Sequence, residues 1–195
     1  SFFRFCLTRG YVEKNPARGI VGPKRSRPLP QFLREGEMNR LLDDVPVGDS
    51  YRDLLGYTIV LTFYSTGMRL AELVGLNDDS IDFEARVIKV TGKGSKQRLI
   101  PFADELEAGL KAYIARRDAE VARCDKAFFV DQRGERVKRG AVQNSVRASL
   151  AKVTSMKKRS PHVLRHSFAT AMLNNDAGLE SVKKLLGHES LSTTE

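Results

Sequence analysis

Apolar residues recur every three to four positions along most of this chain, the period of an amphipathic helix. They alternate with polar ones only in one short stretch. Phe2, Phe3, Phe5 and Cys6 mark the end of a helix that Gly10 stops. The proline-, glycine- and arginine-rich run "EKNPARGIVGPKRSRPLP" breaks any regular element. Met38, Leu41 and Leu42 share one side of a helix over residues 34–44. "SYRDLLGYTIVLTFYSTG" predicts a longer buried helix, capped by Ser50 or Asp49 and stopped at Gly67. A short helix from Arg69 to Gly75 follows. "RVIKV" and "QRLIPF", joined by "TGKGSK", predict a β-hairpin over residues 86–102. A charged amphipathic helix over 103–123, a short strand at "AFFV" and a helix over 139–152 come next. "SPHVLRHSFATAML" opens with serine at the cap and proline in the first turn, a strong helix start. A last helix, Leu179 to Leu186, ends at Gly187. The fold class is therefore mainly α with a small antiparallel β-sheet.

Three segments follow from this pattern. Residues 1–14 look like the tail of a preceding domain, residues 15–30 are a basic linker, and residues 31–195 form one domain. No apolar run approaches the roughly 20 residues that cross a bilayer, and the first ten residues lack the pattern of a secretory signal. Cys6 and Cys124 match no metal or redox spacing and fit reduced thiols of a cytoplasmic protein.

Charge narrows the class of partner. The net charge is +9. It is concentrated in residues 1–30, with seven basic residues against one acid, and in residues 132–159, with nine against one. Two such blocks flanking a mildly acidic body attract a polyanion, most often nucleic acid, although a solvated basic face would look the same.

The candidate chemistry sits in four places. His162 and Arg165 share a face of a helix's first turn, where free N–H groups and a guanidinium can hold a phosphate and an imidazole can move a proton. His162, His166 and His188 invite a zinc reading, but the supporting glutamate, aspartate and cysteine residues are missing, so no metal is expected. Arg69 opens an apolar helix and needs a partner if buried; Glu72, one turn on, can be that support. Lys93 lies between two glycines at the hairpin tip, placed to reach a ligand or simply exposed. "TGKGSKQR" lacks the spacing of a Walker loop, which disfavours a nucleoside triphosphatase.

Together "TGMRLAELVGL", "TGKGSKQRLIPF", "HVLRHSFAT" and "LLGHES" resemble, in order, the motifs of tyrosine recombinases, the lambda-integrase-like enzymes, and among them the Xer-like branch. The resemblance implies a site-specific recombinase that cleaves and rejoins DNA through a 3′-phosphotyrosyl link. It also implies double-stranded DNA as partner, a homo- or hetero-tetramer on that DNA when full length, and no cofactor. Residues 1–14 would close the family's N-terminal core-binding domain, and residues 31–195 would be its catalytic domain, incomplete at the C-terminus. Catalytic roles fall on Arg69, Lys93, His162, Arg165 and His188, with Glu72 in support. DNA contacts are expected from Lys96, Arg98, Arg136, Lys138, Arg139, Arg147, Lys157, Lys158 and Arg159. The family's nucleophilic tyrosine would fall near position 197. The chain's tyrosines are Tyr11, Tyr51, Tyr57, Tyr64 and Tyr113, so this polypeptide is expected to be inactive in cleavage. A type IB topoisomerase-like enzyme and a non-catalytic DNA-binding helical module are the alternatives.

Overall fold

The computed structural model describes residues 2–20, 32–44, 48–174 and 178–187. Helix α1 spans Phe2–Thr8. Helix α2, Glu35–Asn39, runs into a π-helical turn over Arg40–Asp44. The centre of the molecule is α3, Tyr51–Thr66, which packs against α5 (Asp104–Glu120), α6 (Arg139–Ala151) and α7 (Pro161–Asn174). The short α4, Leu70–Val74, follows α3, and α8, Leu179–Leu186, follows α7.

Helix α3 is surrounded because its apolar residues are not confined to one stripe: Ile59, Val60, Leu61 and Phe63 are consecutive or nearly so, and all are buried. Thr58, Thr62 and Thr66 lie among them, and each hydroxyl donates to the carbonyl four residues back, so no polar group is stranded. Ser50 caps the start by accepting from the Asp53 N–H. Gly67 ends the helix in the left-handed conformation, φ 58°. A Cβ there would collide with the Phe168 ring and lie 2.9 Å from Leu186, so the turn requires glycine twice over.

The sheet has three antiparallel strands in the order β1 (Ile81–Asp82), β2 (Val87–Thr91), β3 (Gln97–Pro101). The hairpin matches its sequence expectation, while two-residue β1 is too short to leave a periodic signal. The register pairs Ile88 with Ile100 and Val90 with Arg98, which sets Arg98 on the buried face of the sheet.

"AFFV" is not a strand. Ala127–Val130 is buried, but it makes only isolated bridges, Asn77 to Ala127 and Val130 to Arg136. A short apolar run signals burial and does not say how its backbone is paired. Here much of the pairing comes from a phenol. Tyr113 Oη accepts from the Val130 N–H at 3.0 Å and lies 3.0 Å from Tyr51 Oη, which donates to the Val130 carbonyl.

This arrangement generates a stability prediction. Tyr113→Phe keeps the ring and leaves the buried Val130 N–H without its acceptor. It should cost about 1–3 kcal/mol in urea unfolding. A change within a few tenths would mean that the N–H finds another partner.

Candidate active site

Four charged residues from four elements converge on the end of α8. Arg69 comes from the turn between α3 and α4. Its backbone N–H donates to Glu72 Oε2 at 2.6 Å and its Nη1 to Glu72 Oε1 at 2.9 Å. The carboxylate thus caps α4 through the same residue whose guanidinium it holds. Arg98, on the inner face of β3, grips Glu72 with both prongs, Nη1 to Oε1 at 2.6 Å and Nη2 to Oε2 at 2.9 Å. Arg165 lies in α7, whose buried Val163, Leu164 and Phe168 hold it against α3 and α8. Its Nη1 donates to the Gly67 carbonyl.

The three arginines also share one acceptor set. Arg98 Nε donates to the Leu185 carbonyl at 2.8 Å, Arg165 Nη2 to Leu186 at 2.7 Å, and Arg69 Nη2 to Gly187 at 2.9 Å. These three successive carbonyls lie at the end of α8, the end at which a helix leaves its last carbonyls without intrahelical partners. They also form the negative end of the helix dipole, where cations are stabilised. Gly187 is left-handed, φ 66°. A Cβ there would lie 3.2 Å from Arg98 Nη1 and 3.5 Å from Arg69 Nη1, so the glycine admits both guanidiniums.

The electrostatics follow from three cations around one buried carboxylate. Burial pushes the Glu72 carboxyl up, but the hydrogen bonds from Arg98 and from the Arg69 backbone and side chain outweigh it and hold it below the usual range. Burial and the neighbouring charges of Arg69 and Arg98 push Arg165 down to about 10, against a partial offset from Glu72. Arg165 remains charged at neutral pH. The centre therefore carries surplus positive charge, and Arg69, with 41% of its side chain exposed, is its open face.

The other expected site residues are placed as follows. His162 is exposed in the first turn of α7. His166, one turn on, is held below its ordinary value by burial and by His162 and Arg165. Lys93 starts the tight turn between β2 and β3; its backbone alone is described. Its neighbour Gly92 brings the hairpin close to the centre, since a Cβ there would lie 3.6 Å from Glu72 Oε1. His188 lies outside the described residues.

Among the expected DNA contacts, Lys96, Lys138, Arg139, Arg147, Lys157 and Lys158 are exposed and Arg159 is half-buried. Two arginines depart from that expectation. Arg136 turns inward, donating to the Val74 and Leu76 carbonyls and to Asn77 Oδ1. Arg98 is bound to Glu72 and α8, with only 16% of its side chain exposed. Strand alternation carried the signal for Arg98: it is two residues from buried Ile100 and so shares its face.

Comparisons with known proteins identify the family. The family model described as "Phage integrase family" matches residues 31–195. The chain belongs to that family. It is 39% identical over 196 residues to tyrosine recombinase XerC of Psychromonas ingrahamii, covering all of this chain and 64% of that relative. Its fold is similar to the crystal structure of XerA recombinase, TM-score 0.74 at 30% identity, covering 89% of this chain and 60% of that one. It is also similar to XerH site-specific recombinase bound to palindromic difH substrate in a post-cleavage complex, TM-score 0.77 at 26% identity, covering 90% and 52%.

The buried carboxylate gives a pH prediction. A depressed carboxyl stabilises the fold above its ordinary value of 4.5 and loses that contribution as pH falls through its lower folded value. Glu72→Gln should therefore cost about 3 kcal/mol near pH 7, and the gap to wild type should narrow as pH falls below 4.5 and through the lower folded value. Denaturant melts at both pH values measure it. A gap independent of pH would show that Glu72 acts through packing alone.

Proposed function

We propose that this chain is the catalytic part of a site-specific tyrosine recombinase. The observation that carries the reading is the placement of Arg69 and Arg165, both in the cationic centre at the end of α8, with buried Glu72 holding Arg69. In this reading the two guanidiniums hold the nonbridging oxygens of one DNA phosphate and stabilise the charge that develops in the transition state. Lys93 protonates the departing 5′-oxygen, and His162 takes the proton of the attacking phenol and later returns it. His188 hydrogen-bonds the phosphate. The bond energy stays in the 3′-phosphotyrosyl link until a 5′-hydroxyl of another strand attacks it. The full-length enzyme acts as a tetramer on duplex DNA.

The nucleophile in this proposal is a tyrosine near position 197, which the 195 residues do not include. The chain's central tyrosines are poor substitutes. Tyr51 and Tyr113 are buried, lie 3.0 Å apart at their hydroxyls, and burial raises both phenols above their ordinary value.

The exposed cations after α5 support duplex binding through phosphates, which positions a protein without reading sequence. Affinity should fall steeply between about 50 and 200 mM salt. Replacing Lys157 and Lys158 by alanine should lower the slope of log K against log salt by about one for each lost contact. Fluorescence anisotropy with a labelled duplex measures it, and binding that ignores salt would count against the reading.

The chemistry is tested in the full-length protein carrying the tyrosine. It should form a covalent adduct with a suicide DNA substrate on a denaturing gel, and absence of the adduct overturns the proposal. Lys93→Ala should slow cleavage about 10²–10⁴-fold. Sulfur in place of the 5′-bridging oxygen should remove most of that loss, because a thiolate leaves without needing the proton. Arg165→Ala should show no such rescue, since its charge acts on nonbridging oxygens. Equal defects of Lys93→Ala on both substrates would reduce the lysine to a DNA-holding role.

A further inference from the structure

The placement of Arg98 reaches beyond this list of roles. Its guanidinium uses all three of its nitrogens on groups of the protein: Nε on the Leu185 carbonyl, Nη1 and Nη2 on the two oxygens of Glu72. Each Glu72 oxygen then accepts two hydrogen bonds. Oε1 takes Arg98 Nη1 and Arg69 Nη1, and Oε2 takes Arg98 Nη2 and the Arg69 backbone N–H. A carboxylate offers about four lone-pair sites, so the buried group is saturated and has one orientation.

We infer that Arg98 is a positioning residue of the active site, acting on Arg69 through Glu72 and on the end of α8 through the Leu185 carbonyl, and that it makes no contact with DNA. The inference rests on the recombinase reading above. Two consequences give it content. Without Arg98, half of the Glu72 bonds disappear, and the carboxylate is free to turn onto Arg69 or to take up a proton. Either change moves or releases the guanidinium offered to the phosphate. Charge is the second consequence. Arg69, Glu72 and Arg98 together carry one net positive charge, and Arg69 with Glu72 alone carries none. Arg98 thus leaves the group with a net positive charge toward a ligand that Arg98 itself does not touch. Lysine cannot replace it, because one ammonium cannot present a planar fork to Glu72 and a third N–H to Leu185 together.

The test uses the full-length protein. Arg98→Met should lower the single-turnover rate of cleavage at pH 7 by about 10²-fold, the scale of a small misplacement at a reacting centre. Affinity for duplex DNA and its salt slope should stay at the wild-type values. The pH–rate profile of Arg98→Met should gain an acid limb as Glu72, no longer held by Arg98, protonates within the working range. Arg98→Lys keeps a positive charge near Glu72 and should lose that limb while remaining slow. A salt slope reduced by about one would make Arg98 a phosphate contact and overturn the inference. So would a wild-type cleavage rate, or a uniform loss with no acid limb. If Arg98→Met fails to fold, Arg98→Met in a Glu72→Gln background removes the unbalanced carboxylate; it should fold, cleave slowly, and show no limb. Failure of the underlying reading has a different signature, since wild type itself then forms no adduct. In that event a carboxyl-carbon NMR titration of Glu72 still decides the placement: a higher midpoint in Arg98→Met sustains it, and an unchanged midpoint overturns it.

Discussion

One buried carboxylate makes the rest of the centre possible. Three guanidiniums brought together at the end of a helix repel one another, and burial adds a desolvation cost to each. Glu72 offsets part of both effects from the middle of the cluster, bonded to two of the three arginines. The α8 carbonyls offset more, because a helix end supplies oriented dipoles without adding a full negative charge. The balance is left incomplete: Arg165 is still pushed down, by burial first and by the charges of Arg69 and Arg98 after it, and that residue of positive charge suits a phosphate.

The fold serves this balance through its turns. Gly67 stops α3 so that Met68 can bury and Arg69 can begin α4, and the Gly67 carbonyl itself becomes an acceptor for Arg165. Residues far apart in sequence meet because α3 lies between α5, α6 and α7, with β3 and α7 each touching α8. The pair of arginines, Arg69 and Arg165, is thereby built from a helix-breaking turn and a helix interior, both held by the surrounding core.

Much of this was legible in the chain. The long buried α3, its serine cap and its glycine stop follow from local rules, as do the hairpin and the Ser160–Pro161 start of α7. Arg69, Glu72 and Arg165 could be named from their spacing and resemblance, and the structure places all three in one cluster. Arg98 was legible only in part. Its basic neighbours and hairpin position suggested DNA, while its register with Val90 turns it toward the core. The inward bonds of Arg136 were not legible: charge reports what a side chain can attract, and its acceptors are two backbone carbonyls and the Asn77 amide oxygen, which no sequence pattern marks. The Ala127–Val130 segment failed as a strand because its partners are a phenol and single backbone bridges.

Helix α8 has an unusual attachment. Its buried apolar residues Val182 and Leu186 pack with Phe168 in a small cluster separate from the main core, and its last carbonyls hang on arginines. Among the described residues, the polar contacts of α8 with the arginines therefore stand beside a small apolar one. If the helix swings away, all three guanidiniums lose an acceptor in one event. The order of one short helix and the arrangement of the three arginines are therefore coupled through the same three carbonyls.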